Sequence, residues 1–431
     1  MSGAPLRVGL AGLGTVGAAT LRLLRANAEL IAARAGRPIV PVAVSARDRG
    51  KDRGVALDGL AWFQDPVALA RDASVEVLVE VIGGADGPAR AAVEAALDAG
   101  KPVVTANKAM LALYGAELAA RAERTKAALA FEAAVAGGIP AIKALREGLA
   151  ANRVLRIAGI LNGTSNYILT AMRDTGRAFA EVLAEAQALG YAEADPSFDI
   201  DGVDAAHKLA ILAGLAFGRP LDFASLSVEG IRRITDLDIR FARELGYVVR
   251  LVGIAEETDD GVAARVHPAL VPAASPFAHV DGVFNAVMIE GDHAGRVILE
   301  GRGAGGGPTA SAVVADLIDI ARGRRTPTWG RSAEGLEPAV AVPIAHRRGA
   351  AYLRLMVVDR PGVIAEVSAV LRDHAVSLES MLQRGRSPGE TVPVVLTTHP
   401  CEEAAFAAAV ARLASLEPVV EPPTVIRIET L

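Results

Sequence analysis

Arg7-Val8-Gly9-Leu10-Ala11-Gly12-Leu13-Gly14-Thr15-Val16-Gly17 decides how the front of this chain folds. Residues 7–11 form a short apolar run with the length of a strand, and residues 18–24 read as helix. The glycines therefore fall at a strand-to-helix turn, where each has a use. Gly12 allows the tight turn, Gly14 leaves room for a pyrophosphate, and Gly17 lets helix and strand pack closely. Thr15 and Val16 then lie at the helix N-terminus, which faces the phosphates. The turn is expected to bind a dinucleotide; the alternative is a purely structural glycine turn.

The chain has 431 residues, enough for two or three domains with sizeable cores. A content of 52% hydrophobic and 22% charged residues indicates a globular protein, with the apolar share inflated by alanine. The net charge of -5 and the lack of long basic runs give no support for a nucleic-acid partner. Cys401 is the single cysteine, which excludes a disulfide framework and a thiolate metal cluster and fits a reducing compartment. Residues 1–7 hold no long apolar segment, and no apolar run reaches the roughly 18 residues of a membrane span. No membrane partner is expected, and the expected location is cytoplasmic.

Outward from the glycine turn, residues 39–45 read as the second strand and run into Ser45-Ala46-Arg47-Asp48-Arg49-Gly50-Lys51. Arg47 suits a 2′-phosphate, with Lys51 or Arg49 adding charge. Asp48 suits the ribose hydroxyls of the unphosphorylated cofactor. NADP(H) is favoured and NAD(H) stays open; an ordinary charged loop is the third reading. Residues 75–82, 101–105 and 129–132 read as buried strands alternating with helices, the doubly wound pattern. Lys108 falls just past the C-terminal end of a strand, the edge where such sheets bind ligands, though it could also close a helix turn at the surface.

In the middle of the chain, Glu132-Ala133-Ala134-Val135-Ala136-Gly137-Gly138-Ile139-Pro140 is a punctuated turn with carbonyls that could bind an ion, ahead of a helix over 141–148. Residues 154–161 read as a strand closed by Asn162-Gly163-Thr164, and helix resumes over 165–172 with amides suited to a carboxylate. Between Glu193 and Lys208 five acids and a lysine crowd ahead of the apolar stretch 209–217. A helix starting near Gly202 puts Asp204 and Lys208 four apart on one face. With Glu193 and Asp199 beside them they could bind an amino group, position water and relay a proton. As an exposed helix-start pair they would be worth only about 0.2–0.5 kcal/mol. His207 lies on another face and has no second metal ligand at a suitable spacing. Residues 226–246 look mixed and helical; 246–255, 263–268, 286–291 and 296–300 look like short strands of a separate, antiparallel sheet. The loop Gly301-Arg302-Gly303-Ala304-Gly305-Gly306-Gly307-Pro308-Thr309 allows close approach to a ligand, and its helix, 310–322, is expected to pack on the nucleotide domain.

At these residues the sequence resembles the homoserine dehydrogenase family from position 5 to about 325. The resemblance rests on Gly12 to Gly17, Thr105-Ala106-Asn107-Lys108-Ala109, Gly159-Ile160-Leu161-Asn162-Gly163-Thr164-Ser165-Asn166-Tyr167, Glu193 through Lys208, and Gly303 to Ala310. It implies reversible NAD(P)-dependent interconversion of L-homoserine and L-aspartate 4-semialdehyde, on the route to threonine and methionine. It implies catalytic roles for Lys208, Asp204 and Lys108, with Lys108 also between nicotinamide and substrate. It implies substrate contacts at Gly163, Thr164, Tyr191, Glu193 and Asp199, and a place for Gly303 beside the cofactor. It also implies a structural monovalent cation, sodium, near Glu132, Val135, Gly137 and Ile139.

Beyond a linker over 326–348, the C-terminal segment reads strand-helix-strand-strand-helix-strand, a split βαβ arrangement. With Asp359-Arg360-Pro361-Gly362-Val363 at its first turn it resembles the ACT type of regulatory domain. That implies pairing across subunits, a homo-oligomer (dimer or tetramer), and L-threonine as effector; a plain dimerisation module is the alternative. The expected division is a Rossmann-type doubly wound nucleotide domain over 1–134 with a return helix near 308–325, an α+β catalytic and dimerisation domain over 135–325, and a ferredoxin-like ACT domain over 349–431. Two other classes compete with the enzyme reading. One is a non-catalytic nucleotide and amino-acid sensor, against which Lys108, Asp204 and Lys208 together speak. The other is a related dehydrogenase of the same two domains.

Overall fold

The computed structural model describes residues 3–384 and 389–431. The first two residues of the nucleotide segment and residues 385–388 of the C-terminal segment lie outside them. The front of the chain alternates strand and helix as β1 (Leu6–Ala11), α1 (Thr15–Ala26), α2 (Ala28–Ala35), β2 (Ile39–Ser45), β3 (Ala61–Phe63), α3 (Pro66–Arg71), β4 (Val77–Glu80), α4 (Pro88–Asp98), β5 (Val103–Thr105), α5 (Lys108–Thr125) and β6 (Leu129–Ala130). The six strands pair in parallel in the order β3-β2-β1-β4-β5-β6. Strand order reverses between β1 and β4, and at that point the strand ends open a crevice. β4 is shorter than its apolar run suggests, because Val81 and Ile82 leave the sheet to line this crevice. β6 likewise stops at Ala130, and Glu132–Ala134 form a 3-10 turn.

The middle segment comprises α6 (Ala141–Lys143), β7 (Val154–Ile160), α7 (Gly163–Thr175), α8 (Phe179–Ala188), α9 (Ser197–Ile200), α10 (Val203–Phe217), β8 (Ser227–Val228), α11 (Asp236–Glu244), β9 (Tyr247–Thr258), β10 (Gly261–Pro272), β11 (Phe284–Gly291), β12 (Gly295–Arg302) and α12 (Gly306–Ala321). α6 passes into a π turn over Ala144–Gly148 rather than continuing as the regular helix expected there. α10 is buried nearly all round and crosses the core against α5, β7, β9 and β10. Its length of apolar surface is what carries Asp204 and Lys208 inside. β9 and β10 are longer than the short strands expected. The two-residue Asp259-Asp260 turn lets them pair in register from Thr258↔Gly261 to Tyr247↔Pro272. α12 packs against α1, with Val313 and Leu317 in one cluster with Leu13 and Leu21.

The last segment runs β13 (Arg348–Gly349), β14 (Ala351–Val358), α13 (Val363–Asp373), β15 (Leu378–Gln383), β16 (Thr391–Thr398), β17 (Cys401–Glu402), α14 (Glu403–Ala414) and β18 (Thr424–Ile428). Its sheet, β18-β14-β16-β15, has the split βαβ order. The middle sheet is not separate from it. β10 pairs in parallel with β18 through Ala269↔Arg427 and Leu270↔Ile428, so one sheet runs from β12 to β15. Each strand would otherwise present an edge of unpaired backbone groups. Buried Asp238 of α11 adds a second tie, accepting from Arg354 Nε at 2.7 Å and Tyr352 Oη at 3.1 Å.

Candidate active site

The glycine turn has the geometry its spacing implies. Gly12 has φ +104°, and a Cβ there would lie 2.7 Å from the Val81 carbonyl. A Cβ on Gly17 would meet the Gly12 oxygen at 2.1 Å, whereas one on Gly14 would meet nothing within 4 Å. Gly14 thus faces open space, and the first turn of α1, with Thr15 and Val16, points its free amides there. The adjoining cavity of about 510 Å³ is lined by Gly12, Gly14, Arg47, Asp48, Lys51 and Arg53 among others. These residues fit a dinucleotide. Asp48 Oδ1 accepts from the Gly50 N–H at 2.8 Å, so this carboxylate is engaged in its own turn. Arg53, not singled out from sequence, donates Nε–H to Leu13 O at 3.2 Å and lies 5.7 Å from the Trp62 ring centre, tying the basic loop to the glycine turn.

At the other side of the crevice a buried network sets Lys108. Glu80 ends β4 and accepts from Ile82 N at 2.8 Å and from Thr105 Oγ1 at 2.6 Å. Thr105 Oγ1 accepts from Asn107 N at 3.0 Å, and Asn107 caps α5 by accepting from Met110 N. Lys108 is the first residue of that helix, and its side chain is 33% exposed. Its Nζ lies 2.6 Å from Asp204 Oδ1.

Asp204 Oδ2 receives Lys208 Nζ at 2.7 Å, and Lys208 Nζ also donates to Leu161 O at 2.6 Å. The two lysines share one carboxylate, and Lys208 is only 8% exposed against 33% for Lys108. Burial raises the Asp204 carboxyl, but Lys208 and Lys108 outweigh it and hold it well below the usual range. Burial opposes the charge on Lys108, yet Asp204, Asp199 and Glu193 raise it above an ordinary lysine. Lys208 goes the other way: burial, joined by repulsion from Lys108, outweighs the pull of Asp204.

Asp199 on α9 joins this group. Its Oδ1 accepts from Asn162 Nδ2 at 2.8 Å, and its Oδ2 lies 3.0 Å from the Thr164 hydroxyl. Burial first, then Asp204, push its carboxyl upward against those hydrogen bonds. Thr164 also reaches the Tyr191 carbonyl at 2.7 Å; the Tyr191 ring tilts against Tyr167 at 4.8 Å, and Glu193 is exposed on the same loop. Gly163 opens α7 beside the Val283 carbonyl. His207 stacks on Phe223 at 4.4 Å and Phe198 at 5.5 Å, and burial lowers its pKa to about 4, leaving it neutral at pH 7.

The remaining expected residues lie at the junction with α12. Gly303 packs so closely on Asn285 that a Cβ would lie 2.1 Å from its Cγ, and the Gly303 carbonyl sits against Gly137. Gly306 approaches the Thr15 backbone, which brings this loop over the first turn of α1. Glu132 accepts from Ile142 N at 2.9 Å and Lys143 N at 2.8 Å. Burial, and then Asp316, lift its carboxyl to about 7. Ala136 and Gly137 both have positive φ, which folds Val135, Gly137 and Ile139 into one tight turn. A buried carboxylate whose pKa stays raised despite two backbone donors and Lys143, beside such a turn, fits a small cation. Among the described residues no group of three or more His, Cys, Asp or Glu side chains is placed for a metal, and no helix is long and apolar enough to cross a membrane.

Sequence reasoning missed Asn162, Asn107, Glu80 and Thr105 as site residues. The two asparagines carried a signal, since asparagine ahead of a helix is a capping residue. Glu80 gave only an acid at the end of an apolar run.

A sheet that offers a dinucleotide one crevice and sets two lysines on a shared carboxylate across from it has the layout of a nicotinamide-dependent oxidoreductase. Family models agree segment by segment: homoserine dehydrogenase, NAD binding domain, over residues 12–132; homoserine dehydrogenase over 140–318; and ACT domain over 351–418. The chain belongs to the homoserine dehydrogenase family. It is 46% identical to the homoserine dehydrogenase of Neisseria gonorrhoeae, over 99% of each chain. The crystal structure of a homoserine dehydrogenase from Thiobacillus denitrificans superposes with a TM-score of 0.94 at 47% identity, over 99% of each chain. A hyperthermophilic archaeal homoserine dehydrogenase in complex with NADPH matches at TM-score 0.65 and 29% identity, over 75% of this chain and 100% of that one.

Proposed function

We propose that the chain interconverts L-aspartate 4-semialdehyde and L-homoserine, on the route to threonine and methionine, at the cleft where Lys108 meets Asp204. The observation that carries this reading is the shared carboxylate of Asp204 between Lys108 and Lys208. When bound, the nicotinamide supplies or accepts the hydride at the aldehyde carbon. Lys108, the more exposed of the two lysines, stabilises the developing alkoxide and gives it a proton. Asp204 keeps Lys108 charged and in place, while Lys208 neutralises and anchors Asp204. Asp199 and Glu193 receive the substrate's amino group, with Gly163, Thr164 and Tyr191 forming that wall.

NADP(H) is the preferred cofactor in this reading. Arg47 and Lys51 line the cavity beside Asp48, whose Oδ1 accepts from Gly50 N. The NADPH complex of the archaeal relative supports it. Glu132 with the carbonyls of Val135, Gly137 and Ile139 holds a structural sodium ion. The division into a nucleotide domain over 1–134, a catalytic domain over 135–325, a linker over 326–348 and a regulatory domain over 349–431 belongs to the same reading. So do cytoplasmic location, homo-oligomerisation as a dimer or tetramer, and inhibition by L-threonine through the ACT domain.

One assay tests the core: NADPH and NADH absorbance followed with aspartate semialdehyde, with and without threonine. Oxidation of neither cofactor would sink the enzyme reading and favour a sensor. Activity indifferent to threonine would remove the effector alone.

A further inference from the structure

Asn162 is 4% exposed and stands at the N-cap of α7. Its single amide nitrogen lies 2.8 Å from Asp199 Oδ1 and 2.8 Å from Asp204 Oδ2. Its Oδ1 accepts from Ser165 N at 2.7 Å. The orientation of the amide is thereby decided, because turning it over would set its oxygen against two carboxylates.

We propose that Asn162 is a positioning residue that holds Asp199 and Asp204 as two anions at a set separation, so that the substrate's amino group meets one and Lys108 the other. This rests on the roles given above to Asp199 and Asp204. Two carboxylates in one buried site repel, and one of them tends to take up a proton. An amide offers each a hydrogen bond and leaves the net charge of the pair unchanged. A cation in its place would neutralise the charge that an incoming ammonium needs.

The charged and titratable groups around the pair come from several elements. Lys108 projects from α5, Lys208 and His207 from α10, and Glu193 from the loop before α9, while Thr164 of α7 adds a hydroxyl. His207 is neutral above about pH 4, and Asp204 is held ionised by two lysines. Asp199 is raised by burial and by Asp204, and Asn162 is first among the neighbours that hold its carboxyl down.

The test is the pH profile of kcat/KM for homoserine in the full-length enzyme, comparing wild type with N162A, N162S and D204N. N162A removes both donors and the helix cap. N162S keeps a capping oxygen, so folding is preserved. In both, the acid limb is expected to move up by about one pH unit, the size of a lost hydrogen bond to a charge. That gives a loss of about tenfold on the acid side, mostly in KM, and recovery to within about threefold on the alkaline side. A wild-type profile in N162S, or a loss equal at every pH, overturns the proposal and leaves Asn162 a helix cap. D204N separates the two readings: if it keeps wild-type turnover, the role of Asp204 fails, whatever N162S does.

Discussion

Lys108 Nζ sits 2.6 Å from Asp204 Oδ1, though Lys108 opens a helix on the nucleotide sheet and Asp204 lies in the first turn of a helix in the core of the next segment. This contact joins the nucleotide sheet to the core of the middle segment. It also separates the two lysines by task, because Lys208 is spent on Asp204 Oδ2 and the Leu161 carbonyl.

The first prediction concerns the lysines. K108A should lower kcat by about 10²- to 10⁴-fold, the range of a lost general acid. K208A should also cut turnover strongly, through a displaced Asp204. Both should bind NADPH nearly as wild type does, measured by fluorescence titration. Near-wild-type turnover of K208A at saturating substrate would show that Asp204 holds its place without it.

Asp204 links catalysis to stability. Its carboxyl is depressed in the folded state, so its contribution is full above the unfolded pKa of about 3.9 and is lost as pH falls toward the folded value. D204N should flatten that acid limb of a thermal-melt series. Leaving the buried Lys208 ammonium without its carboxylate should destabilise the protein at neutral pH by about 3 kcal/mol. A variant as stable as wild type at pH 7 would mean the lysines find another anion.

His207 gives a window of its own. Its folded pKa of about 4 lies below the unfolded 6.5, so the unfolded chain binds the extra proton between them. Stability should therefore fall as pH drops through that interval and level off below it. H207F keeps the stacking on Phe198 and Phe223 and should abolish that part of the slope, while kcat stays within about threefold, as for a residue outside the proton path. A large loss of kcat in H207F would give the imidazole a part in the chemistry.

Cofactor choice is tested at the basic loop. R47A should raise KM for NADPH about tenfold and leave KM for NADH nearly unchanged, since only the 2′-phosphate is affected. D48A should leave NADPH use nearly unchanged, since the 2′-phosphate is assigned to Arg47 and Lys51. A selective loss of NADH activity in D48A would assign that carboxylate to the ribose.

If Glu132 holds the proposed sodium ion, that binding should depend on pH. Its carboxyl stands near 7 without a cation, so protons compete for it below that value. The rise in melting temperature on adding sodium in place of a large organic cation should be greater at about pH 8 than at about pH 6. E132Q should remove the difference.

Several of these features are legible one segment at a time. The strand, glycine turn and helix of residues 7–24 are local, as is the spacing of Asp204 and Lys208, since four residues make one turn of α10. The split βαβ order of the tail also follows from strand lengths and turns. The lengths of β9 and β10 and the merging of their sheet with the tail do not, because they depend on which edges find each other. Glu80 shows the same limit from within the site. An acid after an apolar run reads as a strand end, and only the packing of β4 beside β5 brings Thr105 to it.

The sequence by itself determined the family, the dinucleotide turn and the identity of the charged groups, because each is written in residues close together along the chain. Tertiary structure alone decided which lysine is buried, that Asn162 reaches two carboxylates, and that the middle sheet continues into that of the C-terminal segment. Those are contacts between residues far apart in sequence. Their distances are set by how α5, α7, α9 and α10 pack, a property that no single segment carries.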